Sequence, residues 1–311
     1  MSLPMYRTQS LNCYICLPKA LHFIHQLCAE GVIFAFRQIV KDSEQEKTWY
    51  DKDLQQRKTW YREVADAYNK ARPRYPKELI GRVVELAQLD KDAIALEIGC
   101  GPGTATVEFA KLGFSMVCLE PSQEACQLAR HNCATYPAVE IRNSTFEEWE
   151  LEPERFNAVL AANSFHWVSS EIRCPKAAAA LQDNGSLILL WNKEPQPPYE
   201  VYQALNEVYQ AQAPELGRYE DRETQGEILR ELGHNFIDLG RFKNVVYEQM
   251  ACEITYSIDD YLMLLSTLSP YIALLPHKRD SLFKGLRETL ERHTGSIQAS
   301  YISAFHIAQK V

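Results

Sequence analysis

Three glycines at alternate positions, Gly99, Gly101 and Gly103, stand between two carboxylates, Glu97 and Glu120. Glycine tolerates positive φ and lets a backbone approach a ligand closely. The first amides of a helix that follows such a turn are donors without partners. A carboxylate that ends the next strand is placed to accept from ribose hydroxyls, and Glu120 falls 21 positions after Gly99. A dinucleotide fingerprint requires Gly-x-Gly-x-x-Gly. Here the spacing is two throughout and position 104 is threonine. That argues against a pyrophosphate and permits a nucleoside without phosphates.

The elements around this cluster are those that would hold it. Apolar residues 93–98 read as a strand, and helix formers at 104–112 follow the glycines. The alternation continues with a strand over 114–119, a helix over 122–134 capped by Ser122, a strand over 138–142 and another over 156–161. A helix around 170–182, the turn Asp183-Asn184-Gly185 and a strand over 186–191 complete this part. Strands and helices that alternate at this spacing build parallel βαβ units with right-handed crossovers and a sheet covered on both faces. Ligands bind such sheets at the carboxyl ends of the strands, where the glycines and Glu120 fall.

Upstream, residues 60–71 carry aromatic and apolar residues at helical spacing, and Arg72-Pro73-Arg74-Tyr75-Pro76 stops that helix. An amphipathic helix covers 77–89. Downstream, Pro195-Gln196-Pro197-Pro198 breaks the pattern. Helices near 199–213 and 221–233 then read as an insert, a lid of about 195–240 over the sheet edge. Strand character resumes at 245–249 and 252–256, helices cover 258–267 and 276–293, and a last strand covers 302–308. The expectation is an α/β chain: a doubly wound, seven-stranded, mostly parallel sheet over residues 49–311, with the helical insert and an N-terminal extension of residues 1–48.

That extension holds Cys13, Cys16, His22, His25 and Cys28. These are metal-ligating residue types, but the Cys-x-x-Cys knuckle stands alone and the second pair lacks the usual separation. An apolar, partly helical appendage is the reading, with no metal. The segment also lacks the basic start and small-residue cleavage site of a secretory signal.

Composition narrows the partners. At 311 residues and 46% hydrophobic content the chain can bury a large core. A net charge of −8 leaves no basic footprint for nucleic acid. Nine cysteines, partly within expected buried strands, read as reduced core thiols rather than a disulfide framework. No apolar run is long enough to span a bilayer. A cytoplasmic protein, monomeric or homodimeric, with a small-molecule partner and no membrane or nucleic-acid partner, is the expectation.

Glu97-x-Gly99-x-Gly101-x-Gly103 with Glu120 resembles the cofactor signature of class I S-adenosylmethionine-dependent methyltransferases, and the order of elements is similar from about residue 60 onward. Tyr68 through Arg72-Pro73-Arg74-Tyr75-Pro76, with Ala161-Ala162-Asn163-Ser164-Phe165-His166-Trp167, more narrowly resembles the small-molecule subgroup that includes trans-aconitate methyltransferase. The resemblance implies S-adenosylmethionine as cofactor. It implies that Glu97 orders the turn and faces the cofactor amino group, that the three glycines pass beneath the methionine part, and that Glu120, followed by Pro121, holds the ribose diol. Thr145 and Phe146 would meet the adenine. Many relatives have a small polar residue and alanine there, and Phe146 departs from that pattern. Asn163 would lie near the reactive methyl, and Tyr68, Arg72 and Tyr75 over the cofactor.

A sulfonium methyl is already electrophilic, so such an enzyme chiefly aligns a nucleophile and excludes water. A carboxylic acid acceptor needs no base. A hydroxyl, amine or carbon acceptor would use one, and His166 is the candidate catalytic residue near the strand ends. The Asn/Asp-Pro-Pro-Tyr/Phe arrangement and the Pro-Cys pair of nucleic-acid-modifying relatives are not found after the fourth strand. A small acceptor is therefore expected, with Arg218, Arg222 and Arg241 available to an acidic one. The alternative is a cofactor-binding module that has lost catalysis.

Overall fold

In the computed structural model, residues 62–311 are described. The 1–48 extension and its cysteines and histidines lie outside the described residues. After a short 3₁₀ turn, Arg62–Val64, come helices α1 (Ala65–Ala71) and α2 (Lys77–Leu86). The alternating part follows as β1 (Ile94–Ile98), α3 (Thr106–Ala110), β2 (Ser115–Leu119), α4 (Gln123–Asn132), β3 (Val139–Arg142), β4 (Phe156–Ala162), α5 (Ser170–Ala180) and β5 (Leu181–Asn192). The chain continues through α6 (Tyr199–Gln212), α7 (Arg222–Phe236), β6 (Phe242–Tyr256), α8 (Ile258–Ser266), α9 (Ser269–Ile272), α10 (Pro276–His293) and β7 (Ile297–Lys310).

The seven strands form one sheet in the order β3-β2-β1-β4-β5-β7-β6. β1 to β5 pair in parallel, and β7 runs antiparallel between β5 and β6. This is the expected seven-stranded, mostly parallel α/β fold. The strand order reverses between β1 and β4, which opens a crevice beyond their carboxyl ends.

Alternation along the buried strands sends side chains to two cores. Leu96, Ile98, Val117, Leu119, Leu189 and Trp191 pack on one face with Ala177 of α5 and Leu229 of α7. Ala95, Met116, Cys118, Leu160 and Leu190 pack on the other with Leu79 and Val83 of α2 and Phe109 of α3. Glu97 has the parity of the second face, so its carboxylate enters the apolar layer beneath α3.

The two helices of the 195–240 span go to different places. Leu205 and Tyr209 of α6 join Leu262 and Leu265 of α8 and Leu282, Leu286 and Leu290 of α10 in a third core, which also takes Ala71 of α1. Leu229 of α7 instead lies against the sheet. The strand segments near 245–249 and 252–256 are one strand, because β7 pairs with it continuously from Val246↔Ile307 to Tyr256↔Ile297. Among the described residues, no helix is long and apolar enough to cross a membrane.

Candidate functional site

The glycine turn is built as its residue types demand. Gly99, Gly101 and Gly103 have φ of +64°, +55° and +85°, values that side chains disfavour. The Cys100 amide donates to the Leu119 carbonyl at 3.0 Å and extends the β1–β2 ladder by one step. The Gly103 amide donates to the Cys100 carbonyl at 2.9 Å and closes the turn before α3. A Cβ on Gly99 would sit 2.9 Å from the Ser164 Cβ, whereas one on Gly101 would meet no atom within 4 Å. The turn is thus packed beneath Gly99 and open above Gly101.

Both carboxylates are buried and hold this turn. Glu120 Oε2 accepts from the Gly101 amide and Oε1 from the Ser122 amide, each at 2.8 Å. Burial raises its pKa to about 7, against the opposing pull of those two donors. Glu97 Oε2 accepts from the Thr106 hydroxyl at 2.6 Å, and Oε1 is buried with no hydrogen-bond partner. Burial, with the neighbouring Glu120 charge as a lesser cause, lifts the Glu97 pKa to about 8. A buried acceptor without a donor is costly, and a ligand N–H would relieve it.

A recess opens above the turn. Its walls are Tyr68, Arg72 and Tyr75 from the entry segment, Gly99, Gly101 and Thr104 from the glycine turn, and Ala162, Asn163 and Asn192 from the ends of β4 and β5. Arg72 donates from Nε to the Thr267 hydroxyl at 2.8 Å and from Nη2 to the Thr267 carbonyl at 2.9 Å, tying the entry segment to the end of α8. Arg74 reaches the Thr104 hydroxyl at 3.2 Å. Asn132 bridges the Pro102 carbonyl and the Asn69 side chain at 2.8 and 3.0 Å. The entry segment is therefore bonded to the turn as well as to the helical layer.

Asn163 has φ of +51° and is bonded to the next strand. Its Nδ2 donates to the Asn192 carbonyl at 2.9 Å, and its Oδ1 accepts from the Asn192 amide at 3.1 Å. The neighbouring Ser164 hydroxyl donates to the Ile98 carbonyl, which locks the end of β4 to the end of β1.

The other expected residues, Glu97, Gly103 and Glu120 among them, do not line this recess. Asn143 Nδ2 donates to the Glu120 and Pro121 carbonyls at 2.9 and 3.0 Å, which fixes the segment where Pro121 sits. Thr145 accepts from the Glu148 amide at 3.1 Å in a local turn. Phe146 is buried and stacks on Trp149 at 5.9 Å within the core of the first face. His166 stacks with Trp191 at 6.1 Å and lies 6.5 Å from the Phe236 ring. Burial, with the Arg173 charge second, lowers its pKa to about 4, so its imidazole is neutral near pH 7. Arg222 pairs with Glu253 at 2.6 Å and Arg241 with Asp238 at 3.3 Å, and neither these two nor Arg218 lines the recess.

Sequence reasoning did not single out Asn192, Thr106 or Asn132. Thr106 carried a signal, as a hydroxyl on the first helical turn nine residues after a buried acid. The other two depend on contacts between distant elements. Among the described residues no group of three or more His, Cys, Asp or Glu side chains is placed to hold a metal ion.

Residues 95–185 match the family model described as a methyltransferase domain. An uncharacterised methyltransferase of Mycobacterium tuberculosis is 32% identical over 126 residues, covering 40% of this chain and 49% of that protein. A Dictyostelium discoideum protein described as a candidate methyltransferase is 26% identical over 239 residues, covering 73% of this chain and 83% of that one. The chain spans about half the length of the first of these relatives. Among solved structures, a candidate type II methyltransferase from Anaeromyxobacter dehalogenans superposes with a TM-score of 0.57 at 20% identity, covering 76% of this chain and 97% of that one. The fold is the α/β fold of class I methyltransferases.

Proposed function

We propose that the protein is an S-adenosylmethionine-dependent methyltransferase acting on a small-molecule acceptor. The observation that carries this reading is the bond from the Gly101 amide to the buried Glu120 carboxylate, at the carboxyl ends of two parallel strands and beside a turn open above Gly101. The residues present fit the cofactor: a cradle that a Cβ would fill, an acid at the carboxyl end of the neighbouring strand, and a buried Glu97 oxygen that lacks a donor.

When bound, S-adenosylmethionine supplies an activated methyl group. The chain's own part is to hold and to exclude. Glu120 orders the turn and accepts from the ribose diol, and Glu97, giving up the proton that burial holds on it, turns its free oxygen toward a cationic amine. Tyr68, Arg72 and Tyr75 close the recess from above and keep water from the acceptor. A carboxylic acid acceptor would react without a base. For any other acceptor His166 would be neutral, but its lowered pKa makes it a weak base and it does not line the recess.

The test is calorimetric titration of the full chain with S-adenosylhomocysteine, paired with thermal melts. Binding that raises the melting temperature, and that Glu120→Ala removes, is the expected result. Absence of binding at millimolar ligand would sink the reading.

A further inference from the structure

The proposed function leaves the Asn192 amide, in the wall of the recess, without a role. Its Nδ2 donates to the Pro73 carbonyl at 3.1 Å, while its Oδ1 is buried with no hydrogen-bond partner. The orientation of the amide is not arbitrary. Turning it over would set Oδ1 against the Pro73 carbonyl, two acceptors face to face. Its backbone is held as well, because both the amide and the carbonyl of Asn192 bond to the Asn163 side chain. Asn163 is thereby committed to the strand end, and Asn192, which lines the recess, is left with an unpartnered acceptor. An acceptor atom fixed from three sides and given no donor is a preorganised half of a hydrogen bond.

Its place in the sheet says which ligand would complete the bond. The order runs β2-β1-β4-β5. Glu120 ends β2 and the glycines end β1, so the cofactor lies over the first two strands. Asn192 ends β5, two strand spacings or about 10 Å beyond β1. That is the acceptor's side of the crevice. Arg72 is the cation among the described residues that line the recess, and two of its donors already serve Thr267.

Resting on the methyltransferase reading above, we infer that Asn192 Oδ1 binds the reacting group of the methyl acceptor, and that this group is an N–H or O–H nucleophile rather than a carboxylate. The two chemistries differ in sign at this atom. A hydroxyl or amine donates to Oδ1 and keeps a lone pair for attack, whereas a carboxylate oxygen brings a second acceptor to a buried acceptor. The acceptor's lone pair forms the bond to the methyl carbon, the electrons of the breaking carbon–sulfur bond return to sulfur, and the acceptor's proton is lost to solvent once the recess opens and the product leaves. Positive charge grows on the N–H or O–H during attack, so its bond to Oδ1 strengthens in the transition state.

The experiment incubates the full chain with methyl-tritiated S-adenosylmethionine and a deproteinised metabolite extract, then treats the product with alkali. Methyl esters release volatile methanol, and N- or O-methyl products of amines and alcohols do not. A base-stable product is expected. Asn192→Ala should lower the rate of its formation roughly 10- to 100-fold while S-adenosylhomocysteine affinity by calorimetry changes less than twofold. Volatile label overturns the inference and leaves the methyltransferase reading standing. An equal loss of S-adenosylhomocysteine affinity, or an unchanged rate, also overturns it, since Asn192 would then hold the cofactor or nothing. If the homocysteine product binds but no label leaves the cofactor, both readings fall.

Discussion

The Glu120 carboxylate accepts the Gly101 amide at 2.8 Å across the ends of β1 and β2, so one buried side chain ties the turn to the next strand. Its second oxygen is bonded to the Ser122 amide at 2.8 Å. Glu120→Ala should therefore affect more than ligand contact. It leaves two amides to find water in a buried corner, a loss of about 1–3 kcal/mol each. We expect a lower melting temperature without ligand and at least a tenfold weaker S-adenosylhomocysteine affinity. Glu120→Gln, which keeps one oxygen, should recover part of the stability and little of the affinity. Equal affinity in all three proteins would remove Glu120 from the site.

Glu97 sets a pH dependence. Its folded pKa is raised to about 8 by burial, above the ordinary 4.5, so the folded protein holds a proton that the unfolded chain releases. The stability from this group is complete below pH 4.5 and declines as pH rises through 8. Glu97→Gln imitates the protonated form, and its melting temperature should fall less between pH 5.5 and 8.5 than that of the parent, by a few degrees. Parallel profiles for the two proteins would show that Glu97 ionises freely in the fold.

Gly99 and Gly101 share positive φ but not their surroundings, and alanine at each separates packing from ligand access. Gly99→Ala places a methyl 2.9 Å from the Ser164 Cβ, whose hydroxyl is bonded to the Ile98 carbonyl. Backbone strain and overpacking together should cost about 2–4 kcal/mol in denaturant unfolding. Gly101→Ala meets no atom within 4 Å and carries only the strain, about 1–2 kcal/mol. Its methyl enters the recess, however, so its S-adenosylhomocysteine affinity should fall more steeply than its stability. The reverse order of stabilities would mean that the turn is not packed as described.

The parts of this site legible in the sequence are those whose signals are local. Alternate glycines, an acid before them and an acid at the end of the next strand are read within 24 residues, and they sit in the structure as one turn. The parallel half of the sheet was legible for the same reason, because each βαβ unit repeats a change of period. The roles of Asn163 and Asn192 depend on a pairing between strands 29 positions apart, and the Arg72–Thr267 bond joins residues 195 apart. No spacing rule reaches that far. Aromatic residues carry no such local signal. Phe146 stacks on Trp149 and His166 on Trp191, and residue type alone does not tell a ring that fills a core from one that meets a ligand.

Gly233 and His306 form a second close relationship, away from the recess. His306 is fully buried on β7, accepts from the Trp191 indole at Nδ1 over 3.3 Å, and meets the Arg230 carbonyl at Nε2 over 3.2 Å. Those two bonds require the tautomer protonated at Nε2 and fix the ring in place. Helix α7 passes directly over it, since a Cβ at Gly233 would lie 2.1 Å from His306 Cε1. In an open helix Gly→Ala stabilises by about 1 kcal/mol. Here Gly233→Ala should destabilise by about 3 kcal/mol or more, because the ring cannot yield without breaking a bond. His306→Ala leaves a cavity and an unpaired indole N–H, at about 2–4 kcal/mol. Combined, the new methyl enters the space the ring has left, so the double variant should be more stable than the sum of the two losses predicts. Burial lowers the His306 pKa to about 4, below the ordinary 6.5, so its share of stability is complete above 6.5 and is lost as pH falls toward 4. His166 titrates in the same direction. His306→Ala should therefore flatten, without abolishing, the decline of melting temperature on acidification between pH 6.5 and 4.5. Strict additivity in the double variant, measured by denaturant unfolding, would show that the helix and the ring are not in contact.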